Sequence, residues 1–132
     1  MICTLYMQLL MLCIFFSCTG KNNRPLEPTL SSIQAKIFSK HCIGSGCHSG
    51  AMAESQLNLE NGYSYQNLVN VKSVQIQDLY RVQPNNANQS YLIKKLEGEG
   101  IVGKVMPSGK NRLSGQDISV ICTWIGNGAL VN

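Results

Sequence analysis

Residues 42–48 read Cys42-Ile43-Gly44-Ser45-Gly46-Cys47-His48, two thiols with four residues between them and an imidazole directly after the second. Three chemistries use such a set. Haem attachment needs two thiols that reach two vinyl groups along one porphyrin edge, and an imidazole that turns under the ring to meet the iron. Its common spacing is C-x-x-C-H. The spacing here is C-x4-C-H, so the added residues must bulge away from that edge, and Gly44 and Gly46 supply the backbone freedom for a bulge. Zinc is the second chemistry, with Cys42, Cys47, His48 and Cys122 as three sulfurs and one imidazole. Structural zinc sites usually pair their ligands at closer spacing. A Cys42–Cys47 disulfide in an oxidising compartment is the third.

An iron held by His48 wants a second ligand on the other face of the ring, from far along the chain. Past the first 17 residues the methionines are Met52 and Met106. Met52 follows His48 too closely to cross the ring. Met106 sits in Val105-Met106-Pro107-Ser108-Gly109, a polar, Gly-containing loop with little apolar company for a core filler. Its soft thioether would favour reduced iron and raise the potential. His41, at the attachment edge, suits a surface or propionate contact better than iron ligation.

Outward from this stretch the body reads as short helices. The first is expected from about Ser31 to His41, with Ile33, Ile37 and Phe38 inward, delivering the chain into Cys42. A second is expected near Tyr63 to Asn70, with Tyr65, Leu68 and Val69 apolar. A third runs from Asn88 or Ser90 to Glu97 and stops at Gly98, with Leu92 and Leu96 as its stripe and Ile93 beside them. The fourth opens with Ser114 and Asp117 as a capping box and carries Ile118, Ile121, Cys122 and Ile125 at helical spacing, with Trp124 flanking. Cys122 reads as a buried small hydrophobe, Trp124 as core or haem-edge packing, and Lys94 with Lys95 as a solvated face. The intervening stretches read as loops. An all-α domain with loops this long needs something central to wrap around.

These pieces together resemble the small monohaem cytochrome c domains of bacterial secreted and lipid-anchored proteins. The resemblance runs from about Ile33 to Leu130. It is carried by C-x4-C-H with Gly50, Leu57-Asn58-Leu59, Asn67-Leu68-Val69, Arg81-Val82-Gln83-Pro84, Ser90-Tyr91-Leu92, Lys95-Leu96, Met106-Pro107, and Leu113-Ser114 leading to Trp124-Ile125 and Gly128-Ala129. It departs at Asn85, where such domains often place a glycine after the proline. The resemblance implies an all-α, cytochrome c-like fold around one covalent haem c, with thioether bonds at Cys42 and Cys47. It also implies His48 and Met106 as axial ligands, and first and last helices packed together.

The chain has 132 residues, room for one domain. A net charge of +4 with no run of basic residues is too diffuse for a nucleic-acid footprint. Of the six cysteines, Cys3, Cys13 and Cys18 lie in or at the end of an apolar leader, which leaves three in the body and excludes a disulfide scaffold. Residues 1–17 read as a signal peptide, and Phe15-Phe16-Ser17-Cys18 resembles a lipobox with Cys18 as the lipidated residue. A plain secretory signal or an uncleaved anchor are the other readings. Residues 18–30 read as a flexible tether and 31–132 as the haem domain. Thr19 is not an acidic retention residue, which points to an outer-membrane anchor facing the periplasm. Two filled axial positions leave no site for substrate. The expectation is therefore a monomeric electron carrier, not an enzyme, meeting redox proteins at the membrane surface. Other expectations kept open are a peroxidase-like haem enzyme, and a haem-free or zinc-binding envelope lipoprotein with an interaction role.

Overall fold

The computed structural model describes residues 24–132. The leader and the Cys18 lipidation site lie outside the described residues. Regular structure is helical, with no strand among the described residues and only isolated bridges in the long connections, such as Val69 with Val82 and Lys72 with Tyr80. No helix of the described residues is long and apolar enough to cross a membrane.

The Thr29 hydroxyl accepts the Ser32 N–H at 3.2 Å and starts α1 (Leu30–Ile33). The chain then winds directly into a wider π-helical stretch, Gln34–Cys42. Its last bond, from the Ile43 N–H to the Phe38 carbonyl at 3.2 Å, spans five residues. Helix was expected here, but the widening was not; π turns are usually single and gather at functional sites. Ile33, Ile37 and Phe38 form the buried stripe. The expected tether is described from Arg24 on, and this part lies against the domain. Leu26 packs on the core, and the Lys36 ammonium donates to the Arg24 carbonyl.

Helix α2 (Ser64–Leu68) is short. Leu68 and Val69 point inward as expected, but Tyr65 is exposed, and the buried residue of that turn is Ser64. Its hydroxyl donates to Gln34 Oε1 at 2.6 Å while Gln34 Nε2 donates to the Leu59 carbonyl at 3.0 Å. This buried polar tie joins the first helix to α2. Helix α3 (Tyr91–Glu97) ends at Gly98, whose φ of 86° closes it in the left-handed conformation. Ile93 and Leu96 carry its inward face, with Leu92 half-buried. The Ser90 hydroxyl does not cap this helix. It donates to the Asn86 carbonyl and accepts the Gln83 N–H, each at 2.9 Å, pinning the preceding turn instead.

Helix α4 (Gly115–Gly126) has both bonds of the expected capping box. Ile121, Trp124 and Ile125 are buried, so Trp124 is central to the core and not at its flank. Its indole donates to the Leu130 carbonyl at 2.9 Å and ties down the C-terminal segment. Cys122 is only half-buried, at the edge of the core. The first and last helices share one core through Ile33, Ile37 and Phe38 on one side and Ile121, Trp124 and Ile125 on the other. At the backbone, however, the main neighbours of α4 are α3 and the 3-10 turn Ala87–Gln89.

Candidate functional site

The π-helical stretch ends on Cys42 and the next six residues form the bulge expected from the spacing. Gly44 and Gly46 both take positive φ, 142° and 70°, which is why glycine stands at each. The turn closes on itself through Cys47 N–H to the Gly44 carbonyl at 3.0 Å and His48 N–H to the Cys42 carbonyl at 3.1 Å. Ser49 braces the bulge, its hydroxyl donating to the Gly44 carbonyl at 3.0 Å. The segment is then fastened to the body by Glu54 N–H on the Cys47 carbonyl and Leu59 N–H on the His48 carbonyl, at 3.0 and 2.9 Å.

His48 is oriented by its own hydrogen bond. Its Nδ1 lies 3.1 Å from the Glu54 carbonyl, in the 3-10 turn Glu54–Gln56. Burial pushes its pKa below 6.5, against the opposing pull of the Glu54 and Leu57 carbonyls and the Glu54 charge. Burial also lifts the Cys42 thiol to about 11, with Lys110 pulling it down and Cys47 pushing it up. Cys42, Cys47 and Cys122 are all free thiols, so Cys42 and Cys47 are not bonded to each other in this structure.

These residues open onto a cavity of about 490 Å3, within the range of roughly 300–1,000 Å3 common for small-molecule and cofactor sites. Cys42, Cys47, His48 and Met106 all line it, brought together from two ends of the body. Its apolar wall is Leu57, Leu59, Leu68, Leu92 and Leu96. His41 lines it as well, whereas Met52 is 94% exposed and has no part in it. Trp124 does not line the cavity, so it is core and not haem-edge packing. The zinc set is not assembled. No group of three or more His, Cys, Asp or Glu side chains among the described residues could hold a metal ion.

Three lining residues were not anticipated as part of the site. Arg81 is buried, and its guanidinium donates to the carbonyls of Asn67, Ser55 and Gln56 at 2.8, 2.9 and 3.3 Å, none of them a carboxylate. Lys95, expected on a solvated face, is buried and donates to the Val102 carbonyl at 3.0 Å. Tyr91 is buried beside it. Arg81 and Lys95 share the lining with Glu54 and several neutral polar side chains, and nothing in residue spacing separates a lysine pointing inward from its neighbour Lys94.

The residues present suit a haem. The lining offers one imidazole, one thioether and two unpaired thiols against a largely leucine wall, with Arg81 and Lys95 as cations able to face porphyrin carboxylates and Glu54 as a carboxylate beside them. No family model, no curated protein and no solved structure matches the chain.

Proposed function

We propose that the protein is a monohaem c-type cytochrome that carries electrons at the bacterial envelope. One observation carries this reading: Cys42, Cys47, His48 and Met106, from distant parts of the sequence, line one leucine-walled cavity. Haem c would supply the one-electron ferrous–ferric couple. Cys42 and Cys47 would hold it by thioether bonds. His48 contributes a neutral imidazole, since burial disfavours its protonated form. Met106 contributes the thioether that favours the reduced state. With both axial positions taken by protein, the chain works as a carrier and not as an enzyme. Arg81 keeps a buried positive charge at the cavity wall and matches the acidic side of the ligand.

The leader reading completes the proposal: export under a signal peptide, lipid at Cys18, and a periplasm-facing domain on the outer membrane that meets redox partners by small, transient contacts. The test is denaturing mass spectrometry of the protein expressed with its leader in a haem-attaching host. A mass excess of one haem on the peptide spanning Cys42 to His48 is expected. Unmodified Cys42 and Cys47 under those conditions would sink the proposal.

A further inference from the structure

We propose that Tyr91 and Lys95 are positioning residues for Met106, latching its loop to α3 so that the thioether stays on the iron. This rests on the haem reading above. The loop that follows α3 has little order of its own. Gly98, Gly100, Gly103 and Gly109 all take positive φ. Among the described residues, every hydrogen bond made by the stretch from Gly100 to Val105 goes to Tyr91 or Lys95.

Val102 is gripped at both of its backbone groups. Its N–H donates to the Tyr91 hydroxyl at 3.1 Å, and its carbonyl accepts from the Lys95 ammonium at 3.0 Å. Tyr91 and Lys95 stand four residues apart, one turn on the same helix face. The Tyr91 hydroxyl is itself held, donating to Gln75 Oε1 at 3.0 Å. The third bond reaches the ligand residue directly: the Met106 N–H donates to the Lys95 carbonyl at 2.8 Å. Tyr91 and Lys95 are 5% and 8% exposed, whereas Val102 is an exposed residue of the loop, so the grip reaches from the core out to the surface. Both residues also line the cavity with Met106. The Lys95 ammonium is held by the Val102 carbonyl, the Tyr91 ring 6.0 Å away and the charge of Glu54, which together offset part of the cost of burying it. The Met106 bond is main chain to main chain and persists whatever the side chain at 95, so the side-chain grip on Val102 is what steadies the glycine-rich loop leading into the ligand residue.

The variants are Tyr91→Phe and Lys95→Met, with Lys95→Arg as the conservative rescue, all made as full-length, haem-loaded protein. Three readouts are taken: haem mass, the ferric sulfur-to-iron charge-transfer band with the midpoint potential, and hydrogen exchange at the Val102 and Met106 amides. The expected result for Tyr91→Phe and Lys95→Met is one covalent haem as in the parent, a weakened sulfur–iron band and a lower potential. Exchange at the Val102 amide should be roughly 3- to 10-fold faster in Tyr91→Phe, which loses its acceptor, and the Met106 amide, whose main-chain acceptor remains, should quicken in both variants only as the loop loosens. Lys95→Arg should recover much of the band. Tyr91→Phe keeps the charge, so a potential shift there reports the latch; Lys95→Met also removes a cation from the cavity wall, and for it the sulfur–iron band and the amide exchange decide. Variants with full band, parental potential and parental exchange overturn the latch. If Lys95→Met does not fold, Tyr91→Phe decides by the same readouts. A parent protein without haem overturns both the haem reading and the latch, whereas a haem-bearing parent with unaffected variants overturns the latch alone.

Discussion

The Nδ1 of His48 lies 3.1 Å from the carbonyl oxygen of Glu54. A carbonyl can only accept, so Nδ1 carries the proton and Nε2 keeps its lone pair, the tautomer a metal-binding imidazole requires. The backbone of one short turn thus decides which nitrogen is offered. Replacing Glu54 by another residue leaves this bond in place, since the acceptor belongs to the main chain.

The depressed pKa of His48 makes the haem-free protein acid-sensitive in a defined window. Unfolded, the imidazole takes up a proton near its ordinary value of 6.5, whereas folded it resists until lower pH. The unfolded state therefore binds more protons in between, and stability is present above that value and lost as pH falls below it. Urea midpoints of the haem-free parent should drop between about pH 7.5 and about pH 5.5. His48→Gln should flatten that part of the profile relative to the parent; an equal drop in both would assign the effect elsewhere.

Met106 separates the carrier from the haem-enzyme alternative. Met106→Ala should leave covalent haem in place, because the thioether sites are untouched, but open one axial position and convert the ferric spectrum to high spin. Met106→His should keep a low-spin spectrum while lowering the potential by a sizeable part of the ~0.8 V range that axial ligands command. If the parent itself is high-spin at rest, Met106 is not a ligand and peroxidase-like chemistry becomes the better account.

What could be read from residues alone follows a physical division. Local chemistry was legible. The Ser114–Asp117 capping box, the left-handed stop at Gly98 and the bulge at Gly44 and Gly46 each follow from one or two residues and their immediate neighbours. The gathering of Cys42, Cys47, His48 and Met106 was legible because few donors of the right type exist in the body. Side-chain direction was not. Tyr65 turned out and Lys95 turned in, since both depend on which face of a short helix meets loops packed from elsewhere, and helices this short have no strong period to read. The π-helical winding of Gln34–Cys42 has no signature in residue type, and we have no physical account of what selects it.

Two substitutions grade the core against its cap. Trp124 is 1% exposed and its indole secures the C-terminal segment through Leu130. Trp124→Ala should cost about 3–5 kcal/mol, a large part of the stability of a domain this size. Ser114→Ala removes the hydroxyl that accepts the Asp117 N–H and donates to the Asp117 carboxylate, and should cost about 1 kcal/mol. Chemical denaturation of the haem-loaded protein checks both. A mild Trp124→Ala would mean that the haem carries more of the core than the helices do.

Arg81 ties its own segment to two others, the Ser55–Gln56 turn and Asn67, through three carbonyls. A guanidinium fans its donors out from one plane, and an ammonium cannot reach all three points in that geometry. Arg81→Lys should therefore loosen the Glu54–Gln56 turn that orients His48, even though the charge is kept. The expected outcome is retained haem with a perturbed imidazole–iron vibration and faster exchange at the Leu57 and Leu59 amides. An unchanged iron–imidazole signal would confine Arg81 to charge complementarity.

Cys42 should be a reluctant nucleophile in the haem-free protein. Burial, the largest cause, holds its thiol at about 11 against an ordinary 9.0. Near neutral pH its thiolate fraction is then about 100-fold below that of an unperturbed thiol, and alkylation depends on the thiolate. In the folded haem-free protein iodoacetamide should label Cys42 about 100-fold more slowly than in urea, read by mass spectrometry of the peptide. The linkage has the opposite sense to that of His48. The native state keeps the Cys42 proton between 9.0 and about 11 while the unfolded chain releases it, so this contribution to stability is present below pH 9 and lost as pH rises through that window. Lys110 is the one cause that lowers the value, so Lys110→Gln should slow labelling further. Equal labelling in folded and unfolded protein would show that Cys42 is open to solvent and that the cavity is not formed before haem arrives.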